Sequence, residues 1–292
     1  MKKVIIAAAI GAFSTVASAQ VSLGGRFHLW QDNTKIGNAS VTNIANENSN
    51  HINITATERI SNGLTARAVV ETSLRGNNIE GSDTRLGDRT SVVGLASSLG
   101  SIDLGRNLHS HYNALAANDP FRIWYGSIAG DVHHLRGARL SDSTFISVTP
   151  HKDVRVNFDR SQTPGQEAYA VSVSGSLGPV RATLARFDRD AELSTVYGVN
   201  AQLKNTRLFY SHSDNEGVVK SKGDLVGVHH QMGSYAAKAS YGRTNTDVTA
   251  YNVGLDYALS KRTEVGVVYR VVDKVATAAD VRQIGVGIKH NF

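Results

Sequence analysis

The stretch from Leu108 to Arg136 holds a dense grouping of chemically able side chains. Asp119, Asp131, Arg122 and Arg136 carry charge, Trp124 and Tyr125 carry rings, and His109, His111, His133 and His134 bracket the segment. Charges of both signs beside two aromatic faces can hold or steer a passing solute. They do not make a nucleophile: no G-x-S-x-G turn occurs to present an activated serine, and no phosphate-cradling glycine motif is found. The chain has no Cys, which removes thiol chemistry, iron–sulfur clusters and Cys-containing zinc sites. The His-x-His and His-His pairs leave three readings open. They are a pH-responsive charge, since imidazole titrates at about 6.5; a metal ligand set; or solvated loop histidines.

These residues need a scaffold, and the hydrophobic period defines it. Tyr251, Val253, Leu255, Tyr257 and Leu259 alternate with Asn252, Gly254, Asp256 and Ala258; Val265, Val267, Tyr269 and Val271, and Val154, Val156 and Phe158, repeat the pattern. A period of two describes strands with one apolar and one wet face, and no comparable amphipathic helix is seen. Sixteen candidate strands begin near residues 21, 50, 64, 88, 101, 137, 154, 166, 179, 194, 206, 224, 235, 249, 263 and 281. Tight turns such as Ser61-Asn-Gly63 and Leu177-Gly-Pro179 interleave with mostly longer polar segments, roughly 31–49, 75–87, 108–136, 188–194, 213–223 and 273–280, and two brief ones near 162–165 and 244–248. Short turns on one rim and long loops on the other are the signature of a transmembrane barrel of the outer-membrane type.

A soluble β-sandwich would alternate equally well. Against it, Tyr251, Tyr257, Tyr269 and Phe292 fall near strand ends on the apolar rows, as aromatic girdles require. A mean hydropathy of −0.22 is compatible with a barrel, in which only alternate strand residues meet lipid.

Strand parity then places Arg26, Arg67 and Arg89 on the inward rows, with Glu71 beside them. A lipid-facing Arg at mid-membrane would cost about 2–4 kcal/mol, whereas a lumen Arg stays hydrated. Arg106 and Arg139 sit where strands meet the long loop. A ring of arginines attracts anions, unless they are spent on pairing with Glu71, Asp103 and Asp256. The chain is mildly basic, with a formal net charge of +6 spread along strands rather than gathered in a nucleic-acid stripe.

The N-terminus reads as an export signal: Lys2-Lys3, the apolar run Val4–Phe13, then Ala17-Ser-Ala19. Ten apolar residues are too few to span a bilayer as a helix. Residues 1–19 are therefore expected to be removed, leaving residues 20–292 as a single barrel domain outside the cytoplasm.

With this organisation the sequence resembles a Gram-negative general porin, of the sixteen-stranded trimeric type found in β-proteobacteria. The residues carrying the resemblance are Val21-Ser-Leu-Gly-Gly25, Asn62-Gly-Leu-Thr-Ala66 with Glu71-Thr-Ser73, Arg89-Thr-Ser-Val-Val-Gly-Leu95 and Gly100-Ser-Ile-Asp-Leu-Gly-Arg106. They continue in Asn118-Asp-Pro-Phe121, Arg139-Leu-Ser-Asp-Ser143, Leu255-Asp-Tyr-Ala-Leu-Ser-Lys-Arg-Thr263 and the ending Gly287-Ile-Lys-His-Asn-Phe292. Their order covers the whole chain past Gln20.

The resemblance implies an all-β, sixteen-stranded antiparallel transmembrane barrel with an inward-folded third loop. It implies a homotrimer in the bacterial outer membrane, in contact with lipid and lipopolysaccharide, inserted by the assembly machinery that reads the terminal Phe292. The expected activity is passive diffusion of small hydrophilic solutes through a water-filled channel, with a preference for anions, no enzymatic function and no cofactor. The alternatives are a solute-specific channel of the same fold and a surface interaction barrel. The constriction implied is Arg26, His51, Arg67, Glu71, Arg89, Arg106, Asp119, Asp131, Arg136 and Arg139. The sequence departs from the family pattern at His51, which stands where the family carries an arginine, and at Ser143-Thr144 and Ser147, which replace an Asn-Ser and a Tyr. If the loop histidines and His51 are open to water, acid should strengthen anion preference.

Overall fold

The computed structural model describes residues 19–46, 49–61, 63–74, 85–135, 137–165, 167–217, 220–274 and 279–292. The expected leader, except for Ala19, lies outside these residues, as does Arg136. Among the described residues seventeen strands follow one another: β1 Gln20–Ile36, β2 Ala39–Asn46, β3 His51–Ser61, β4 Leu64–Ser73, β5 Thr90–Ser97, β6 Gly100–Leu108, β7 Arg139–His151, β8 Val154–Ser161, β9 Ala168–Leu177, β10 Val180–Arg189, β11 Glu192–Leu203, β12 Thr206–Glu216, β13 Ser221–Met232, β14 Tyr235–Thr244, β15 Val248–Ala258, β16 Thr263–Lys274 and β17 Val281–Asn291. Two helices, α1 Ser110–Ala117 and α2 Ala129–His133, lie between β6 and β7.

Each strand pairs antiparallel with its neighbours, and β1 pairs with β17 from Arg26↔Asn291 to Ile36↔Val281. Seventeen segments make sixteen staves, because β2 and β3 pair in succession with the same β1: Ile36↔Ala39 to Leu29↔Asn46, then Arg26↔His51 to Gln20↔Thr57. Residues 31–49, expected as a loop, are thus mostly strand. Their polar composition misleads because this hairpin makes its own side-chain bonds: Asn33 Nδ2 donates to Ser40 Oγ at 2.9 Å and to Thr42 Oγ1 at 2.8 Å. The segment 213–223 shortens likewise, with β12 continuing to Glu216 and β13 starting at Ser221.

The outward rows are apolar. Ile284, Val286 and Ile288 are 52%, 62% and 49% exposed, and Tyr251, Tyr257, Tyr269 and Phe292 share that face, a contiguous greasy wall that water would not tolerate but lipid does. Closure removes the unpaired edges that an open sheet would bring into lipid. It ends on Gly25 and Phe292, which exchange main-chain bonds, Gly25 N to Phe292 O at 3.0 Å and Phe292 N to Gly25 O at 3.1 Å. A Cβ at Gly25 would stand 2.7 Å from both the His51 carbonyl oxygen and Phe292 Cε2. Gly25→Val is therefore expected to force the terminal ring off the seam at a cost of about 1–3 kcal/mol, read as a lower temperature for the folded-to-unfolded gel shift. An unchanged shift temperature would show that the seam tolerates a side chain there.

Candidate functional site: a loop inside the barrel

The connection between β6 and β7 folds inward, with α1 packed against β8–β11 and α2 against β12–β15. The inward rows explain why. A strand that faces water has no use for Leu225, Ala250 or Val272 on its lumen side, yet all three are fully buried, against Ile128, Ala129 and Val132 of the loop. Covering each large aliphatic side chain contributes about 1.5–3 kcal/mol. Between these contacts the wall is scooped out by glycine: a Cβ at Gly227 would meet Pro120 Cγ at 2.6 Å, and one at Gly285 would meet the Tyr125 hydroxyl at 2.7 Å. The alternating wet face read from the sequence is thus, along β11–β17, a groove that seats the loop. At its tip Tyr125 stacks on Trp30, with centroids 4.4 Å apart, and donates to Asp32 Oδ2 at 2.6 Å.

Three of the four loop histidines pin this arrangement from within. His109 accepts from Tyr112 N through Nδ1 at 3.1 Å, which caps α1, and donates through Nε2 to the Gly137 carbonyl at 3.0 Å, while its ring stacks on Phe187. His111 Nε2 meets Ser194 Oγ at 3.1 Å; His133 meets Ser213 Oγ through Nδ1 at 2.8 Å and Ser211 Oγ through Nε2 at 2.9 Å. All three are 1% exposed, and burial pushes their pKa down, to about 4 for His109 and about 3 for His111 and His133. The expectation that they add positive charge to the lumen under mild acid is therefore corrected: in the docked loop they are neutral hydrogen-bonding groups. Among the described residues no three His, Asp or Glu side chains are grouped as a metal would need.

Asp119 also has a different place from the one its charge suggested. It is buried to 1% exposure and accepts from Phe121 N at 3.1 Å, Ile123 N at 2.7 Å and Ser127 Oγ at 2.6 Å; burial pushes its carboxyl above the usual carboxylate range. It clamps a turn in which Arg122 and Ile123 take left-handed φ of 56° and 59°, costly for a β-branched residue. Asp119→Ala removes three acceptor contacts and should cost the turn about 1–3 kcal/mol, seen as a noisier open-channel current; a quiet current would dismiss the clamp. Asp131, the other loop acid, is held by Arg270 at 2.5 Å.

Facing the loop, the wall gathers three of the sequence-derived residues, Arg89, Arg139 and His51, around the carboxylate of a fourth, Glu71. Glu71 lies 2.5 Å from Arg89 Nε, 3.8 Å from Arg139 Nη2 and 3.7 Å from His51 Nε2. Arg106 donates to the Asp88 carbonyl at 2.7 Å and to Ser141 Oγ at 2.5 Å. It sits in a β-bulge between Gly105 and Asn107, where counting by two fails because the extra residue re-aims its neighbours. Arg67 is paired with Asp103 through two bonds. Arg26 donates to Asn291 Oδ1 at 2.8 Å and lies 4.5 Å from the centroid of Trp124. Asp256 pairs with a lysine, Lys238, at 2.5 Å. That lysine and Lys289, paired with Glu264, are functional candidates the sequence reading passed over, although both stand on inward rows that alternation identifies.

The sequence profile of the Gram-negative porin family matches residues 6–291. Among solved structures the chain is similar to the anion-selective porin from Comamonas acidovorans, with 17% identity and a TM-score of 0.82 over 94% of this chain and 100% of that one. It is similar to a mutant of the Rh. blastica porin, with 15% identity and a TM-score of 0.75 over 94% and 100% of the two chains. It is also similar to the trimer form of OmpT from Vibrio cholerae, with 12% identity and a TM-score of 0.72 over 95% and 100%. At these identities the likeness is one of fold. A comparison with curated protein sequences finds no match. The profile spans nearly the whole chain, and the sixteen-stave closed barrel accounts for its period-two sequence; the chain belongs to the Gram-negative porin family.

Proposed function

We propose that this outer-membrane channel for passive diffusion of small hydrophilic solutes passes anions in preference to cations. The observation that carries the reading is the charge balance at the loop. Arg26, Arg67, Arg89, Arg106 and Arg139 stand against four wall carboxylates, Glu71, Asp103, Asp32 and Asp159. Two further ones, Asp256 and Glu264, are matched by Lys238 and Lys289, and the loop's own acids are withdrawn, Asp119 by burial and Asp131 by Arg270. Fixed charges lining a cleft with low-dielectric walls focus their field on the aqueous path, and near a protein surface a unit charge at 4 Å is worth about 4 kcal/mol. The similar Comamonas acidovorans structure is described as anion-selective, which agrees with this balance. The working form is a homotrimer, exported by a leader ending at Ala19; one similar structure is a trimer, and the outward apolar wall suits both lipid and a neighbouring copy.

Reversal potential in a KCl gradient across a planar bilayer tests the first claim. An anion-directed potential supports it, and a zero or cation-directed one rejects it. Light scattering in mild detergent tests the second, with a monomer as the result that removes the trimer and leaves the barrel intact.

A further inference from the structure

Beneath the loop, on the side of the short turns, lies a space of about 580 Å³ whose lining includes Arg122, Trp124, Lys204, Arg207, Lys238 and Lys289. We propose that this space is a subsite for organic anions with a flat apolar body, arene carboxylates above all. The proposal deepens the anion reading and rests on it.

The first argument is charge. Lys238 is neutralised by Asp256 and Lys289 by Glu264. Arg122, Lys204 and Arg207 have no carboxylate within ion-pair distance among the described residues. Three cations thus line the space without an acid of their own, Arg207 donating to the neutral Gln202 Oε1 at 2.8 Å, and an entering carboxylate supplies the missing negative charge.

The second argument is what a small hydrated anion would leave unused. The same space has an apolar side made by Pro120, Phe121, Phe209 and the small side chains of Ala117 and Ala236. Chloride or phosphate gains nothing from such surface; a ring displaces water from it. Rings and cations are already interleaved here. Lys238 lies 5.1 Å from the Phe121 centroid, and Trp124 has Arg26, Lys289 and Arg122 at 4.5, 5.4 and 5.9 Å. Guanidinium planes stack on aromatic faces, so exposed Arg122 can cover a ligand ring while Lys204 or Arg207 takes its carboxylate. Across α1 a second space, about 670 Å³, also has cations and an aromatic ring, Arg155, Arg181 and Phe145 among them, but hydroxyls such as Ser97, Ser101, Ser147 and Thr149 are interspersed through its lining, and among the described residues no tryptophan lines it.

The third argument is strain. Two consecutive non-glycine residues, Arg122 and Ile123, are left-handed. Such geometry persists where its surroundings over-determine it, and it clusters at ligand clamps. Here Asp119 holds the turn from behind through Phe121 N, Ile123 N and Ser127 Oγ, and Ile123 packs against the buried apolar cluster. The product of that strain is the placement of Arg122 and Trp124 beside the space.

The test is the KCl current of the purified full-length porin in a planar bilayer, with benzoate or acetate added on the short-turn side. Benzoate should reduce the current saturably, while acetate at equal concentration leaves it nearly unchanged. Trp124→Leu and Arg122→Ser should each raise the half-blocking benzoate concentration about tenfold, as loss of a desolvated ring–cation contact does. If benzoate and acetate act alike on the unaltered protein, the subsite is overturned while the anion-directed reversal potential stands. A cation-directed reversal potential overturns the anion reading and the subsite together. Should a variant fail to fold, the benzoate-to-acetate comparison on the unaltered protein still decides.

Discussion

Replacing Arg89, Arg106 and Arg139 together by serine will swing the reversal potential from the anion side to the cation side. Glu71 is held by Arg89 and Arg139, with His51 at 3.7 Å, and Arg106 is satisfied by neutral partners, the Asp88 carbonyl and Ser141. Removing the three takes away most of the positive wall and bares one carboxylate. The swing should amount to tens of millivolts, within the limit of about 59 mV per tenfold gradient for a monovalent ion. The barrel should still close, since Glu71 keeps His51 at 3.7 Å and the strand-to-strand main-chain bonds are untouched. Arg67→Ser alone should also move the potential toward cations, because it leaves Asp103 unpaired, whereas Arg26→Ser removes a cation bonded to neutral Asn291. A triple variant with unchanged selectivity would show that the filter lies elsewhere.

The second large effect is expected under acid. His109, His111 and His133 have pKa values near 4, 3 and 3 in the docked loop against an ordinary value of 6.5. The undocked loop therefore binds more protons between these limits, so docking is fully stable above about pH 6.5 and weakens as pH falls toward 3. At pH 5 each imidazole costs the docked state roughly 2 kcal/mol relative to the undocked one. The neighbours decide little of this. The charge of Arg189 bears on His109, those of His109 and His133 on His111, and those of His212 and Asp224 on His133, and desolvation leads in all three.

The result should be reversible closures and noise setting in below about pH 5. The chain's two tryptophans offer an independent signal: Trp30 stacks on Tyr125, and Trp124 lies in the loop itself, so their fluorescence should shift with undocking. Replacing His111 and His133 together by Gln should move the transition to lower pH. Current and fluorescence that stay constant from pH 8 to pH 4 would refute the mechanism.

Much of the molecule is legible in its sequence. Fifteen of the sixteen staves begin within three residues of the position the alternation indicated, because lipid on one side and water on the other impose a period that composition must obey. The exception is the second, which starts at Ala39 rather than near residue 50. Arg67, Arg89 and Glu71 could be placed inward by the same parity. Legibility failed where polar residues belonged to a strand, as in Ala39–Asn46, whose partner is another polar strand rather than lipid, and at Arg106, where a bulge breaks the count.

The charged loop shows the deeper limit. From Leu108 to Arg136 the sequence by itself determined a long connection rich in His, Asp, Arg and Trp, and the strands determined that a closed barrel would surround it. Only the tertiary structure decided which of those groups meet solute, because that depends on contacts from residues about 80 to 140 positions away. Ser194, Ser211 and Ser213 take the histidines as neutral partners, Arg270 takes Asp131, and the glycine-scooped wall of β11–β17 receives Pro120 and Tyr125. Burial then turns ionisable side chains into structural ones, since a charge taken out of water without a close partner is too costly to keep. On the opposite wall the close partners exist, Glu71 for Arg89 and Arg139 and Asp103 for Arg67, so there the charges are paired in place.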